Sequence, residues 1–408
     1  MPQARGAQAQ LLLQREVTFR TAPSPAAKVI PFTTFQAGRN PQRQENNTVS
    51  NTPIPAKRDK GDVTPGGNFT SILDLRSIGH WLALLLGVPV ANKWVSQQPT
   101  NVTGVTIQYA QVATPSGVGT LTWVFAGTTL AWTAFGETIG APQNVSAGGN
   151  FLLPSSAANH GIYVTVAQGS TPGTNQNDAN IAVSATLKAH TFPIDLVDRP
   201  SALLEMGHTG IAKYQRFLGS KLNKLSYDLV NNEQNISGDL LIGGEVDPIP
   251  VAVFDAAPTS YSYFRACSAN GRIWDGISAV ALGDIRSGSI AFDNQMTGIQ
   301  LAEAADGYGL IDQGDLTISG TISAVFNGAA AYDLARQNTS TRMRMLSAAT
   351  IGANTFSLAV DLLDVELEEA NVPVEGKSGL WVDLNYRAHA NGTTRLPVIT
   401  LNNDVTAF

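Results

Sequence analysis

His80, His160, His190, His208 and His389, the lone Cys267 and adjacent acids such as Glu368-Glu369 are the side chains with which this chain could do chemistry. A zinc site needs histidines one helical turn apart or a Cys/His cluster. No two of the five histidines have that spacing, and no His-Glu-x-x-His occurs. His80 falls on a predicted helix, where it is read as part of a packed surface. One cysteine forms neither an internal disulfide nor a Cys-rich metal cluster, so Cys267 is read as a small apolar residue in a reduced compartment.

Gly376-Lys377-Ser378 has the ending of a phosphate-binding loop. That loop needs a glycine at position 371, where the chain has Asn371, and it should open a helix rather than a strand. The tripeptide is read as a hairpin turn. No Gly-x-Ser-x-Gly elbow and no Gly-x-Gly-x-x-Gly after a strand is evident. Neighbouring acids on loops do not establish acid–base catalysis. No catalytic residue, metal or cofactor is therefore expected, and the chain is read as not an enzyme.

The elements around these residues point to an architecture instead. At 408 residues the chain is long enough for two or three domains. Its apolar fraction of 43% can fill real cores, and 38 Gly and 21 Pro among many Thr, Asn, Ser and Val favour turn-rich β structure. Leu11-Leu12-Leu13 is too short for a signal-peptide core, and the longest apolar run, near Trp81–Val90, is too short for a bilayer span. The expectation is a chain made in a cytoplasm, without membrane insertion. Triplets such as Asn101-Val102-Thr103 then carry no glycosylation meaning.

Charge is unevenly spread. Residues 1–60 hold nine bases (Arg5, Arg15, Arg20, Lys28, Arg39, Arg43, Lys57, Arg58 and Lys60) against Glu16, Glu45 and Asp59, a net of +6. With −6 overall, the remainder carries −12. The basic segment is either a nucleic-acid arm or an arm that docks on the acidic body of a neighbouring copy. Docking is favoured, because an acidic body repels phosphate.

The strongest pattern is internal repetition. Residues Gly61 to Asp74 align without gaps on Gly314 to Asn327, at a constant offset of 253. Val63/Leu316, Phe69/Ile322 and Leu73/Phe326 share one strand parity, and Asp74 and Asn327 both suit a helix N-cap. After Asp74, Leu75, Ile78, Leu82 and Leu85 recur at helical spacing, with Gly87 as a stop. After Asn327, residues 329–337 form a short run of helix formers. Each helix is followed by two long strands: 221–230 and 237–246 in the first half, 356–367 and 380–390 in the second. In the last of these, Leu380, Val382, Leu384, Tyr386 and Ala388 alternate with Trp381, Asp383, Asn385, Arg387 and His389, giving one buried and one wet face.

Residues 97–187 differ in kind, with only Glu137 and Asp178 charged. Short strands are predicted at 103–112, 120–125, 129–133, 161–166 and 181–187, punctuated by Pro and Gly. The segment reads as a small immunoglobulin-like β-sandwich inserted into the first repeat. Without it and the front segment, about 290 residues remain, or two units of about 145.

With these residues in hand, the chain resembles the phage tail tube protein family. The resemblance is carried by Asp74-Leu75-Arg76-Ser77-Ile78-Gly79 with Leu82 and Leu86-Gly87, by Phe217-Leu218-Gly219-Ser220-Lys221-Leu222-Asn223-Lys224-Leu225, by Gly314 to Ile322, by Trp381 to Ala388, and by Leu396 to Asn403. It covers about 26–95 and 183–408, and rests on apolar and glycine patterning rather than a catalytic signature.

The resemblance implies a mainly β fold of two tandem sandwich or partial-barrel units, each with a flanking helix, plus the inserted sandwich. The expected division is a basic arm over 1–60 contributing to the first unit, a discontinuous first unit over 26–95 and 183–250, an insert over 97–182 on the tube exterior, and a second unit over 251–408. It also implies a virion protein of a siphovirus-like phage whose copies form stacked rings. Single-unit members form sixfold rings, so a two-unit chain is expected to form a pseudo-sixfold trimer, with a true hexamer as the alternative. The implied partners are further copies, the tape-measure protein, the tail terminator and distal tail proteins, and transiting double-stranded DNA bound without sequence specificity. An acidic lumen would let DNA slide, and the run Asp364-Val365-Glu366-Leu367-Glu368-Glu369 offers suitable acids. The competing reading is a carbohydrate-binding or adhesin-like protein acting through the insert, where Trp123, Trp132 and Tyr163 would either stack on sugars or fill the core.

Overall fold

A computed structural model of the chain describes residues 5–44, 57–94, 188–192, 194, 199–275, 281–301, 307–325, 336, 341–351, 354–368, 381–390, 397–405 and 408, and the backbone of strand segments between 106 and 166. The fold is mainly β. Seventeen strands belong to one connected antiparallel sheet. In chain order they are β1 (Ala9–Arg15), β2 (Lys28–Ile30), β3 (Thr34–Gly38), β4 (Gly66–Ile72), β5 (Val90–Trp94), β6 (Lys188–Phe192), β7 (Ala202–His208), β8 (Lys213–Leu229), β9 (Asn235–Leu241), β10 (Gly244–Glu245), β11 (Ser268–Asp275), β12 (Ala281–Asp293), β13 (Thr317–Val325), β14 (Thr341–Ile351), β15 (Asn354–Leu367), β16 (Trp381–Ala388) and β17 (Val398–Asn403). A single α-helix, α1 (Ile78–Leu86), lies among the described residues.

The sheet contains one arrangement twice. In the C-terminal half the pairings run β12–β13–β16–β15–β14–β11 and return to β12, closing a six-stranded antiparallel barrel. In the N-terminal half the order β4–β9–β8–β7–β1–β2 is the same, and the chain passes from β2 through residues 31–33 into β3, which pairs with β4. Strands β2 and β3 thus take the place of the single strand β12. Pro31 sits at the break, and with no N–H to donate it interrupts a ladder. Its carbonyl accepts a 2.7 Å hydrogen bond from Ser71 Oγ instead.

The register of the two halves agrees residue by residue. Thr34 pairs with Thr70 and Gly38 with Gly66, while Ser287 pairs with Ser323 and Ala291 with Ser319. Both pairs of pairs differ by the 253 residues of the sequence repeat. On the other side of β4, Ile72 pairs with Asn235, and on the other side of β13, Val325 pairs with Trp381.

The halves are joined through β8. Its first part pairs with β7, and its last six residues pair with β12, from Lys224↔Asp293 to Leu229↔Gly288, with β9 on the other side as far as Tyr227. Gly219, at φ +63°, lies between the two parts and lets one strand leave the first ladder and enter the second.

The core is continuous, with α1 packed on β8 and β6 and all nine of its residues buried. Phe69 and Trp81 stack at 4.1 Å between centroids, which adds about 0.5–1.5 kcal/mol beyond area burial. The helix starts later than the sequence suggests: the cap position is Ser77, and Asp74 organises the turn before it. Asp74 Oδ2 accepts from Ser77 N at 3.1 Å and Ser77 Oγ at 2.5 Å, and the Asp74 carbonyl accepts from Ile78 N at 2.9 Å. Gly87, at φ 112°, ends the helix as expected. The second expected helix, with its Asn327 cap, lies outside the described residues apart from helical Arg336.

The basic front segment is not an arm throughout. Leu11, Leu12 and Leu13 are fully buried, and β1 pairs with both β7 and β2 to close the first barrel. The rest of the segment extends the β3–β4 hairpin through a short ladder of Pro41–Gln44 with Asp59–Val63.

The inserted segment leaves and re-enters through β5 and β6, which pair with each other, and β6 pairs with β17. Within it, Thr106–Ala110, Val118–Ala126, Thr129–Ala134, Glu137–Thr138 and Gln143–Asn144 form one sheet, and Gly149–Leu152 pairs with Tyr163–Val166. The register sets Trp132 opposite Trp123. The strand expected at 181–187 lies outside the described residues.

Candidate functional site

Alternation along seven strands builds one wet face across both barrels. The inward set is Phe69, Ile236, Leu240, Leu225, Tyr227, Leu229, Ile290, Phe292, Ile318, Ile322, Val382, Leu384, Tyr386, Val365 and Leu367, all buried. The residues between them face outward on β4, β9, β8, β12, β13, β16 and the end of β15.

Pairing register arranges this face into rows. One row runs Asn68, Asp239, Lys224, Asp293, Thr317. The next runs Thr70, Ser237, Ser226, Ala291, Ser319, Arg387, Glu366. Short polar side chains bridge neighbouring strands: Ser226 Oγ and Ser237 Oγ lie 2.8 Å apart, and Ser289 Oγ and Thr321 Oγ1 lie 3.0 Å apart. Asn385 Nδ2 donates to Glu368 Oε2 at 2.9 Å.

The face is acidic. Asp228, Asp239, Asp293, Glu366, Glu368 and Asp383 stand against Lys224, Arg387 and Arg286, which is exposed in a bulge of β12. Six acids against three bases leave an excess of three negative charges among the described residues. Lys224 Nζ lies 2.9 Å from Asp293 Oδ2. The Asp293 carboxylate, accepting from the ammonium and attracting it, raises the Lys224 pKa above its ordinary value.

The acid run 364–369 divides by burial, even among residues of one parity. Glu366 and Glu368 are exposed on the face, whereas Asp364 is buried within the fold, with His389 Nε2 3.0 Å from its Oδ1. Glu369 lies outside the described residues. Asp361 is also buried, 3.5 Å from Arg344. Burial raises its pKa, with Arg344 and Arg342 opposing.

The other residues singled out in the sequence are dispersed. His80 is buried in the core beside Phe408 and Tyr261, and desolvation, reinforced by Lys28 and Arg15, lowers its pKa to about 3. His190 Nε2 lies 2.9 Å from the Val405 carbonyl. His208 is half-buried at the end of β7, and Cys267 is exposed rather than packed. His160, Asn371 and Gly376-Lys377-Ser378 lie outside the described residues, as do the side chains of Trp123, Trp132 and Tyr163. Among the described residues, no three His, Cys, Asp or Glu side chains are grouped to hold a metal ion, and no helix is long and apolar enough to cross a membrane.

The sequence pattern gave no notice of Asp293, which meets Lys224 only after strands distant in the chain pair, whereas Asp239 comes from the next strand. The alternation of Lys224, Ser226 and Asp228 was the available signal.

The face ends at β3. One edge of β3 pairs with β4, and no strand among the described residues covers the other. A barrel pair with a hydrated acidic face and an open strand edge has the means to extend itself with further copies. A comparison with curated proteins returned no match. The family model for phage tail tube proteins matches residues 6–388, nearly the whole chain, and the protein belongs to that family of structural phage tail components.

Proposed function

We propose that three copies close into a pseudo-sixfold ring, that rings stack into the tail tube of a siphovirus-like phage, and that the acidic face lines the bore. The role is structural rather than enzymatic. The bore holds the tape-measure protein during assembly and later conducts double-stranded DNA to the host, and the tube ends meet the tail terminator and distal tail proteins. The units are residues 26–95 with 183–250, extended by β1, and residues 251–408. The insert at 97–182 lies on the exterior.

The observation that carries this reading is the joint between β8 and β12. It continues the wet face from one barrel to its repeat without a break, so a head-to-tail succession of such joints generates a ring. Along the wall, hydroxyl and amide groups keep water, and the excess acids repel phosphate, so DNA passes without adhering. Negative-stain microscopy of the purified chain tests the proposal: hollow tubes with threefold rings are expected. A chain that stays monomeric with its tail partners present, or a ring of six chains, contradicts it.

A further inference from the structure

We propose that the first barrel binds a small tetrahedral oxyanion, of the phosphate or sulfate class, between Arg15, Lys28 and His80 at the end of the β1–β2 ladder. The site does not depend on how copies assemble.

Strand register places the two cations. Leu11 and Leu13 of β1 belong to the core, and Arg15 follows at the same strand parity. Leu13 pairs with Lys28 of β2, so Arg15 and Lys28 are diagonal neighbours on one side of the ladder. Diagonal positions lie about 7–8 Å apart, within the reach of long side chains. The third group comes from α1. His80 is 4% exposed, with Phe408 edge-on at 5.0 Å and Tyr261 at 6.1 Å between ring centroids. Arg15 and Lys28 both lie close enough for their charges to disfavour a proton on this ring.

These three groups lack a counter-charge among the described residues. Arg15 is half-buried, its guanidinium meets no acceptor there, and burial alone lowers its pKa. Lys28 Nζ donates to Thr259 Oγ1 at 3.0 Å, which occupies one of its three N–H groups. His80 Nε2 is buried without a hydrogen-bond partner. The neighbouring acids are engaged elsewhere. Glu16 accepts from Ser201 Oγ, Gly219 N and Arg20 N, and Asp255 accepts from Ala27 N and Ala257 N. A buried polar atom costs free energy unless it is hydrogen-bonded, and a buried charge costs more unless it is paired. An oxyanion satisfies all three groups together. The guanidinium offers parallel N–H groups to two oxygens, and the ammonium adds another donor. Neutral His80 completes the set in the tautomer that carries its proton on Nε2. Four oxygens in a tetrahedron meet donors arriving from β1, β2 and α1, whereas the two oxygens of a carboxylate share one plane. The rings of Phe408 and Tyr261 lower the local dielectric and strengthen such bonds.

The test is isothermal titration of inorganic phosphate into the purified full chain, in chloride buffer at neutral pH and constant ionic strength. Saturable binding at one site per chain is expected, with sulfate competing for it. Arg15→Met and Lys28→Met are each expected to weaken the binding about tenfold or more, the scale of one charge-assisted hydrogen bond. Arg5→Met, a change at an exposed arginine, is expected to leave it unaltered. Lys28→Met carries the test if Arg15→Met does not fold. Absence of saturable binding overturns the site. Equal binding by the parent and both site variants overturns it as well, because the phosphate is then held elsewhere on the chain.

Discussion

Lys224 and Asp293 meet at 2.9 Å across the seam between the two barrels, one contributed by the long strand β8 and the other by the end of β12. The pair is solvent-facing, so it fixes register more than it adds stability. A double-mutant cycle with Lys224→Ala and Asp293→Ala is expected to show coupling of about 0.2–1 kcal/mol, shrinking as salt rises. Urea unfolding at low and high ionic strength measures it, and coupling unaffected by salt contradicts the assignment.

Asp74 is buried and its carboxylate accepts from Ser77 N, Ser77 Oγ and Phe264 N, the last at 2.6 Å. Asp74→Ala removes the turn that starts α1 and leaves buried donors unpaired. The expected loss is about 2–4 kcal/mol, combining a lost cap with unsatisfied groups. Asp74→Asn retains part of it, and denaturant midpoints of the three proteins give the order.

His80 makes the fold sensitive to acid. Its pKa is about 3 in the folded chain against an ordinary 6.5. The unfolded chain binds the proton first, so stability is full above about 6.5 and falls as pH drops toward about 3. At pH 5 the loss from this residue is about 2 kcal/mol. His80→Phe is expected to flatten the decline between pH 7 and 5, whatever its effect at pH 7. Equal slopes for variant and parent count against the assignment.

Reversing the face changes how tubes treat DNA. The triple substitution Asp228→Lys, Asp239→Lys and Asp383→Lys turns an excess of three negative charges into an excess of three positive ones. Tubes of this variant are expected to retain short duplex DNA in cosedimentation at about 50 mM salt and to release most of it at about 200 mM. Retention no greater than that of the parent shows that these acids do not face the bore.

Much of the repeat was legible because its strands are half-wet. The offset of 253 between Gly61 and Gly314 reappears as the register of Thr34 with Thr70 and Ser287 with Ser323. The alternation of Val382, Leu384 and Tyr386 with Asp383, Asn385 and Arg387 survives as burial and exposure. Elsewhere, pattern and place diverged. Leu11-Leu12-Leu13 is buried on both faces, so it shows no alternation, and the bases around it suggested an arm. Pro31 hid the fact that β2 and β3 together match one strand. Asp364 and Glu366 share an acidic run and a strand parity, yet the first is buried and the second exposed, and no local count of charge distinguishes a buried acid from a wet one. The acidic face is made by partners such as Asp239 and Asp293, far apart in the chain.

The paired strands β5 and β6 have a mechanical consequence. The inserted segment hangs from Trp94 and Lys188, which stand opposite each other at the same end of that ladder, and β6 is laid along β17 from Lys188↔Asn403 to Phe192↔Ile399. A pull on the insert along the strands loads the β6–β17 bonds in parallel rather than one after another. The attachment therefore resists tension lengthwise and peels more readily from the side, so drag along the strand axis reaches the body of the second barrel through β17.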